Sequence, residues 1–304
     1  MNLSVIIVSW NTVELLRKCL ASVYHNPPGD HFEVIVVDNV SSDGSVQMVQ
    51  QQFPQVKLLT NKRNVGFATA NNQAIEQSSG RYILLLNPDT EVKPGALKIM
   101  VQFMEDHPEV GAVGAQLLNP NNTLQPSCYP APTLSREFWR LFHLDKFWSY
   151  GTYNMFQWDL NRAREVDVVQ GAALLLRREA LNEVGVLDTD YFIYTEEVDL
   201  CYRLQQAGWR LYYVPQARVV HYGGQSTQQV AADMFLQLYR SKLLFFRKHH
   251  GLLASYIYKF ILFGAVLMRL LVSPLAWLEQ PSRRQQHFTL AANYRRLLVS
   301  LPGM

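Results

Sequence analysis

The stretch LLLNPDTEV, residues 84–92, places a continuous aliphatic run directly before a polar turn. Such a run is typical of a strand that is buried on both faces of a parallel sheet. The run stops at Asn87-Pro88, and Asp89 and Glu91 follow where the strand should end. Because ligands of α/β sheets bind at the carboxyl ends of the strands, these carboxylates mark a candidate functional edge.

Similar apolar runs alternate with amphipathic helical patterns before this strand. We predict strands at residues 3–10, 32–38, 56–60 and 81–87, and helices near 12–24, 44–52 and 66–78. This alternation predicts an α/β domain whose sheet is largely parallel and covered by helices on both faces. The polar residues at the strand ends should then converge on one edge of the sheet. They are Ser9, Asn11, Asp38, Asn39, Asn61 to Asn64, Asn87 and Asp89.

The composition fits a folded protein with a large core. Of the 304 residues, 48% are hydrophobic, and the formal net charge of +3 gives no argument for a nucleic-acid partner. The cysteines, Cys19, Cys128 and Cys201, are far apart, which predicts neither a disulfide framework nor a zinc knuckle and fits a reducing, cytoplasmic compartment. The first strand is not followed by GxGxxG and no P-loop occurs, so two common nucleotide-binding folds lose support.

The pattern changes after residue 110 and predicts two domains. We place an α/β domain at residues 1–228 and a helical region at 229–304. Within the first domain, residues 119–166 form an excursion that is rich in Asn, Pro, Trp and Tyr. Its aromatic rings are expected either to wall the active-site cleft or to pack as ordinary core.

The C-terminal region contains a strongly apolar segment, residues 252–278, interrupted by Lys259 and Arg269. Its charge-free stretches, 260–268 and 270–278, are shorter than the roughly 20 residues that span a bilayer. The basic residues that follow are Arg283, Arg284, Arg295 and Arg296. This pattern predicts peripheral attachment to the inner face of the cell membrane. Packing on the catalytic domain or on a second subunit of a homo-oligomer stays open as an alternative.

Several motifs, taken in order, resemble one known family. They are VSWN (8–11), VVDNVSSDGS (36–45), NVGFATANNQ (64–73), LLLNPDT (84–90), VQGAALLLRREAL (169–181), VLDTDYFIYTEEVDLCYRL (186–204) and HYGGQS (221–226). The set resembles the family 2 glycosyltransferases, and within them the rhamnosyltransferase-like branch that builds bacterial surface polysaccharides. The resemblance implies a GT-A fold, a nucleotide-sugar donor, a divalent metal (Mn²⁺ or Mg²⁺) and inversion at the anomeric carbon.

The resemblance also implies that Asp89 and His221 bind the metal. In the family, the residues after this strand form an Asp-x-Asp motif whose last Asp is the ligand; here the first position is Asn87, which can hydrogen-bond the donor sugar. The departing nucleoside diphosphate develops negative charge, which a hard divalent cation neutralises. A lone His after a strand is more often structural, but the resemblance makes His221 the second ligand and favours Mn²⁺ somewhat.

The segment TEEVDL, residues 195–200, carries the carboxylates expected to act on the acceptor. Glu197 occupies the position of the family's catalytic Asp, which implies that it takes the proton from the attacking acceptor hydroxyl. Glu196 is expected to bind the acceptor, and Asp199 either binds it or braces Arg203. The alternative is that these carboxylates only begin a helix, where the helix dipole favours them.

The donor-binding residues implied by the resemblance are Ser9, Asn11, Asp38, Arg63, Asn64, Asn87 and Gly171. Asp38 would accept a hydrogen bond from a nucleobase imide, although a turn carboxylate is the alternative. Arg63 is left open between a donor contact and a solvated turn. Gly171 would allow close packing beside the donor sugar.

These inferences predict a metal-dependent inverting glycosyltransferase that moves rhamnose from dTDP-rhamnose to a lipid-linked saccharide acceptor. One rival is a UDP-hexose transferase of the same fold, because an Asp that reads a base imide does not distinguish uracil from thymine. The other is a non-catalytic nucleotide-sugar-binding subunit of a polysaccharide assembly complex. Asp89, Glu197 and His221 together argue against that second rival, because a protein without catalysis has no need of all three.

Overall fold

The computed structural model describes residues 3–29, 31–274 and 281–304, and in the last range the side chains from residue 284 onward. The chain divides into two compact units. The first combines the residues up to Ala131 with Asn154–Gln229, and the second combines Pro132–Tyr153 with the residues from Val230 onward. The sequence analysis assigned all of 119–166 to the first domain, whereas the middle of this excursion groups with the C-terminal helices.

The α/β unit begins with the alternation that the sequence predicts. Its first elements are β1 (Leu3–Ser9), α1 (Val13–His25), β2 (Phe32–Asp38), α2 (Ser45–Gln52), β3 (Lys57–Thr60), α3 (Phe67–Glu76) and β4 (Tyr82–Leu86). Each lies within about two residues of the predicted bounds, because apolar runs and turn-forming residues mark them locally. The next elements are β5 (Thr90–Val92), α4 (Ala96–Asp106), β6 (Val110–Leu118), β7 (Leu124–Gln125) and β8 (Cys128–Tyr129).

The remaining elements complete both units. They are α5 (Leu134–Leu141), β9 (Arg164–Glu165), β10 (Val168–Val169), β11 (Ala173–Arg177), α6 (Arg178–Val184), α7 (Glu196–Gln206), β12 (Arg210–His221), α8 (Gln225–Gln228), α9 (Ala231–Val272) and α10 (Pro281–Ser300). Of these, α5, α9 and α10 belong to the second unit.

The main sheet has the strand order β3-β2-β1-β4-β11-β6-β12-β5. The ladders among β3, β2, β1 and β4 are parallel, as is that of β6 with β12. This confirms a largely parallel α/β sheet. However, β11 runs antiparallel to both β4 and β6. Its first residue, Ala173, pairs with Leu86 at the end of β4, so the segment before β11 lies at the carboxyl edge of the parallel strands.

The core of this unit forms where aliphatic strands meet the apolar faces of the helices. Every residue of β1 and β4 is buried. Helix α1 buries Leu16, Leu20 and Val23, whose spacing places them on one face. Strand β6 is also buried throughout, although its Gly and Ala residues give a weak strand signal in the sequence.

The second unit packs α5 and α10 against α9. Gly251 interrupts α9 with φ 84° and ψ 175°, a conformation that favours glycine. After this kink, the helix buries Ala254, Tyr258 and Leu262 at intervals of four residues. By length and composition α9 is apolar enough to cross a membrane, with a mean hydropathy of 1.7 over a window that is 22% buried.

The side of α9 that faces away from this packing carries large apolar side chains. After Gly251 they include Leu253, Phe260 and Leu271, which are 74%, 76% and 70% exposed. The two cations of this segment point elsewhere: Lys259 Nζ donates to the carbonyl of Pro302 at 3.1 Å, and Arg269 donates to that of Leu141 at 2.5 Å. Residues 275–278 of the predicted apolar segment, and the side chain of Arg283, lie outside the described residues.

Candidate active site

The carboxyl edge of the sheet brings the predicted strand-end residues together. Ser9 and Asp38 are paired across the β1–β2 ladder. On the other side, the Asn87 N–H donates to the carbonyl of Ala172 at 3.0 Å, so the end of β4 meets the segment before β11. The residues of three separate sequence motifs thus share one edge.

Asp89 and His221 form a buried polar pair at this edge. The pairing of β5 with β12 places Thr90 opposite His221, which brings the neighbouring Asp89 within reach. The Asp89 Oδ1 atom lies 3.4 Å from His221 Nε2, and each residue is 4% exposed. The amide nitrogen of Asn87 lies 3.4 Å from the same ring nitrogen. Asn87, Asp89 and His221, which the sequence analysis singled out, therefore meet at the His221 Nε2 atom.

Gln125, which the sequence analysis did not single out, fixes the orientation of the His221 ring. Its Oε1 atom lies 2.7 Å from His221 Nδ1. The Gln125 amide nitrogen donates to Asn119 Oδ1 at 3.1 Å and to the His221 carbonyl at 3.3 Å, so its oxygen must face the ring. His221 therefore donates through Nδ1, and its Nε2 atom faces Asp89. Only the fold reveals this contact, because Gln125 is far from His221 in sequence.

Asp89 is also bound to the segment that follows His221. Its main-chain carbonyl accepts from the Tyr222 N–H at 2.9 Å, and its Oδ2 accepts from the Gln225 N–H at 3.3 Å. Gly223 and Gly224, which lie between Tyr222 and Gln225, have positive φ angles of 77° and 64°. The loop that opens with His221 is therefore held against Asp89 by main-chain groups.

Asp89 and His221 fit a divalent-metal site that is completed by substrate. Within the described ranges, no group of three or more His, Cys, Asp or Glu side chains is arranged to hold a metal ion. Mg²⁺ commonly uses one or two protein carboxylates together with substrate phosphates and water, and an imidazole nitrogen also suits Mn²⁺. A carboxylate facing an imidazole nitrogen would be such a partial ligand set. The two side chains therefore have the chemistry and the proximity that such a site requires, and the diphosphate of a donor would supply further oxygens.

Asp38 presents an unused acceptor at the end of β2. Its Oδ2 accepts from the Ser41 N–H at 2.9 Å, whereas its Oδ1 is buried without a hydrogen-bond partner. The residue is 3% exposed, so leaving Oδ1 without a donor is costly. A ligand N–H, such as a nucleobase imide, would satisfy it. Val40, just beyond, has a φ of 65°, which is unusual for a β-branched residue and is typical of strain at functional sites.

Ser9 and Asn11 lie next to Asp38 but are engaged within the protein. Ser9 is fully buried, with its hydroxyl 3.1 Å from that of Thr12. Asn11 accepts from the Ser42 N–H at 2.8 Å, and its own N–H donates to the Ser41 hydroxyl at 2.9 Å. In this arrangement the two residues shape the loop that presents Asp38. Donor contact by either stays a prediction.

Arg63 and Asn64 lie in the loop before α3. Arg63 is exposed, and this position does not distinguish a donor contact from a solvated turn. Asn64 accepts from the Gly66 N–H at 3.0 Å and thereby forms the turn that begins the helix. Phe67, the first residue of α3, donates its N–H to the carbonyl of Phe192 at 2.7 Å. This bond attaches the start of α3 to the loop that leads to Glu196 and Glu197.

The acidic segment begins α7 after a strained turn. Tyr194 and Thr195 have φ angles of 67° and 73°, so two consecutive residues other than glycine adopt the left-handed region. Glu196 is 4% exposed, and its Oε2 is buried without a partner. Burial, and then the charge of Glu197, raise the pKa of Glu196 well above its ordinary value. The arrangement favours a protonated Glu196 beside the carboxylate of Glu197.

Gly171 and Asp199 both lie near Glu197 in the structure or the sequence, but their contacts differ. A Cβ on Gly171 would lie 3.6 Å from the Glu197 Cβ, so Gly171 lies directly beside this side chain. Asp199 is 1% exposed and accepts from Arg203 Nε at 2.8 Å. Arg203 in turn donates to the carbonyl of Val184 at 2.6 Å. Asp199 therefore takes the bracing role that the sequence left open, and we do not assign it to acceptor binding.

This sheet topology, with a buried Asp-His pair and a strained acidic turn at its carboxyl edge, agrees with the GT-A glycosyltransferase class that the resemblance implies. Residues 4–185 match the family model described as "Glycosyl transferase family 2". The chain belongs to this family and is a glycosyltransferase.

Relatives of this chain include bacterial rhamnosyltransferases. The chain is 32% identical over 233 residues to the N-acetylglucosaminyl-diphospho-decaprenol L-rhamnosyltransferase of Mycobacterium tuberculosis (strain ATCC 25618 / H37Rv), covering 72% of this chain and 75% of the relative. It is 26% identical over 239 residues to the rhamnosyltransferase WbbL of Escherichia coli (strain K12), covering 76% of this chain and 87% of the relative. The resemblance to the rhamnosyltransferase-like branch is confirmed.

Solved structures confirm the fold. The mannosyltransferase PcManGT from Pyrobaculum calidifontis, in complex with GDP-Man and Mn²⁺, superposes with a TM-score of 0.58 at 20% identity, covering 99% of this chain and 86% of that one. Residues 1–349 of S. aureus TarS in complex with UDP give a TM-score of 0.52 at 16% identity, covering 100% and 92%. At these identities the likeness concerns the fold alone.

Proposed function

We propose that this glycosyltransferase moves rhamnose, with inversion, from dTDP-rhamnose to a lipid-linked saccharide. The observation that carries the proposal is the buried pair of Asp89 and His221, with His221 Nε2 facing the carboxylate. Two rhamnosyltransferase relatives and the decaprenol-linked acceptor in one relative's name support the sugar and the class of acceptor.

The donor is held by groups at the carboxyl edge of the sheet. Asp38 Oδ1 accepts the imide N–H of the pyrimidine base, and the Asn87 amide bonds a sugar hydroxyl. Asp89 and His221 hold Mn²⁺ or Mg²⁺. When bound, the cation offsets the negative charge that develops on the diphosphate as the glycosidic bond breaks.

The acceptor reacts at the start of α7. Glu197 takes the proton from the acceptor hydroxyl, which attacks the anomeric carbon from the face opposite the diphosphate. Glu196, protonated because of its burial and its charged neighbour, donates a hydrogen bond to an acceptor oxygen. Asp199 and Arg203 hold the helix start in place, and Gly171 leaves room for the donor sugar beside Glu197.

The first experiment is a calorimetric panel of dTDP-rhamnose, UDP-glucose, UDP-galactose and GDP-mannose, each with and without Mn²⁺ or Mg²⁺. Tight, metal-dependent binding of dTDP-rhamnose is expected. A UDP-hexose that binds better than dTDP-rhamnose would identify the other donor class, because Asp38 reads an imide that uracil and thymine share. Binding that is independent of metal would refute the metal-dependent site.

Replacing His221 by Ala tests the ligand pair directly. The variant should lose the metal dependence of donor binding, because Asp89 alone remains. The matched control is His25→Ala, at the exposed end of α1. A metal titration that is the same in wild type and the His221 variant would remove His221 from the ligand set.

We further place the enzyme at the cytoplasmic face of the membrane, attached peripherally. The exposed apolar stripe of α9, defined by Leu253, Tyr256, Phe260, Leu267 and Leu271, supports this placement, since such a surface is costly in water. The double substitution L253D/F260D should abolish flotation with anionic vesicles, whereas Val299→Asp on α10, also an exposed apolar site, should not. A change of oligomeric state with unchanged flotation would instead make the stripe a subunit interface.

A further inference from the structure

The second unit contains an apolar groove that the proposed chemistry does not use. It has a volume of about 600 Å³ and is lined by Leu134, Phe138, Trp139, Trp148, Tyr150 and Ile261. This volume lies within the roughly 300–1,000 Å³ that is typical of small-molecule sites. All of these residues belong to the second unit, so the groove is a feature of that unit alone.

The walls of the groove are rings held in place by hydrogen bonds. The Trp139 indole N–H donates to the main-chain carbonyl of Trp148 at 2.8 Å. The Tyr150 hydroxyl lies 3.0 Å from that of Ser135, and the rings of Trp139 and Tyr150 meet edge to face at 5.8 Å. Polar groups at the rim are thus satisfied within the protein, which leaves apolar surface for a ligand.

Solvent reaches this apolar surface, which is unfavourable unless something covers it. Trp148 is 73% exposed and Phe138 is 42% exposed. Phe147, which directly precedes the groove residue Trp148 in the sequence, is 87% exposed. A cluster of large exposed rings on a water-soluble surface commonly marks a binding site.

The groove borders the side of α9 that carries the apolar stripe. Ile261 lines the groove and lies one turn after Ile257, which is 41% exposed. Phe260, the most exposed ring of the stripe, directly precedes Ile261. An extended apolar chain could therefore leave the groove along the stripe without crossing a polar surface.

Positive charge borders the groove. The Arg136 guanidinium lies 5.8 Å from the centre of the Tyr150 ring. An anionic head group attached to an apolar chain would find both kinds of surface here.

We propose that this groove binds the isoprenoid chain of a diphosphate-linked acceptor. The inference rests on the proposed function for the identity of the acceptor, and one relative's name gives that acceptor as a diphospho-decaprenol. The planar, methyl-branched isoprene unit suits a groove walled by aromatic faces. Its diphosphate suits the Arg136 guanidinium beside Tyr150.

Binding of farnesyl diphosphate to the full-length protein, below its micelle concentration, tests the proposal. The variants are Trp148→Ala, which keeps the main-chain carbonyl that Trp139 uses, and Ile261→Asp, which puts a charge on the wall. Val299→Asp, an exposed apolar site of α10 outside both the groove and the stripe, is the matched control. We expect at least a tenfold loss of affinity in both groove variants and less than a twofold change in the control.

Two outcomes would overturn the groove proposal. One is equal affinity in wild type and both groove variants, which would place the diphosphate elsewhere, for example at Asp89 and His221. The other is equal binding of n-dodecyl diphosphate, which has the same main-chain length without branches or double bonds and would indicate a general alkyl site. Donor binding is measured on the same samples: its absence in the wild type would refute the proposed function, while the farnesyl result still decides the groove.

Discussion

Two buried glutamates, one in each unit, experience opposite environments. Glu196 at the start of α7 is 4% exposed, and Glu137 in α5 is 6% exposed. Burial and the charge of Glu197 raise the pKa of Glu196. Burial acts in the same direction on Glu137, but the charges of Lys242 and Arg140 more than offset it and lower its pKa to about 2.

The difference lies in the partners of each carboxylate. Glu137 accepts from Lys242 Nζ at 2.8 Å and from Arg140 at 2.6 Å, and it lies 3.4 Å from the Tyr258 hydroxyl. Glu196 has an oxygen without any partner. Equal burial therefore does not imply an equal role: a satisfied carboxylate holds a structure together, whereas an unsatisfied one is available to a ligand.

The largest effect is expected at Glu197, which follows Glu196 at the start of α7 and is the proposed base. Glu197→Gln should lower kcat by about 10²–10⁴-fold because the general base is lost. Donor affinity should not change, as calorimetry with dTDP-rhamnose and Mn²⁺ would show. The matched control is Glu179→Gln, an exposed carboxylate in α6. Surviving transfer activity would mean that another group is the base.

Glu137→Ala should destabilise the second unit by about 3–5 kcal/mol, because two cations lose a buried partner. The control Glu14→Ala removes an exposed ion pair with Arg17 and should have almost no effect. Urea unfolding at pH 7 measures both. The lowered pKa also sets the pH dependence: the contribution of Glu137 is present above about pH 4.5 and is lost as the pH falls toward 2. A loss below about 1 kcal/mol would contradict the structural role.

Gln125→Ala should weaken metal affinity by about 10–100-fold, because the His221 ring loses the contact that fixes its orientation. The measurement is a Mn²⁺ titration in the presence of dTDP. Gln102→Ala, on the exposed side of α4, serves as the control. If both variants titrate like the wild type, Gln125 does not position His221 for metal binding.

The smallest effect is a pH-dependent gain of stability from Glu196→Gln. Because the folded-state pKa of Glu196 is raised, its favourable contribution is complete below about pH 4.5 and is lost as the pH rises through the raised value. Gln cannot ionise, so the Tm difference between variant and wild type should grow from pH 5 to pH 8. The exposed Glu76→Gln should show no such trend. A difference that is flat with pH would contradict the raised pKa.

The sequence predicted the elements that depend on local signals. The strand that ends at Leu86 and the turn at Asn87 follow directly from an apolar run and a proline. It did not predict β6, because small residues conceal a strand that is buried by its neighbours. Nor did it predict that β11 runs antiparallel, since strand direction depends on distant pairing.

The candidate site likewise contains residues that the sequence indicated and residues that only the fold reveals. The polar end of a buried strand suggested Asp89, and the resemblance to the family assigned roles to Asp89, His221 and Glu197. Gln125 and the bracing of Asp199 by Arg203 emerge only when distant segments meet. Residues 132–153 are similar: their aromatic composition was evident, but their packing with the C-terminal helices was not.

Gly66 connects the donor side of the site to the acceptor side. A Cβ at this position would lie 2.6 Å from the main-chain oxygen of Phe192 and 2.8 Å from its ring, so only glycine allows so close an approach. The turn before α3 is therefore packed directly against the loop that leads to Glu197. In kinetic terms, we expect ordered rather than random binding, with the donor first, and product-inhibition patterns would distinguish the two.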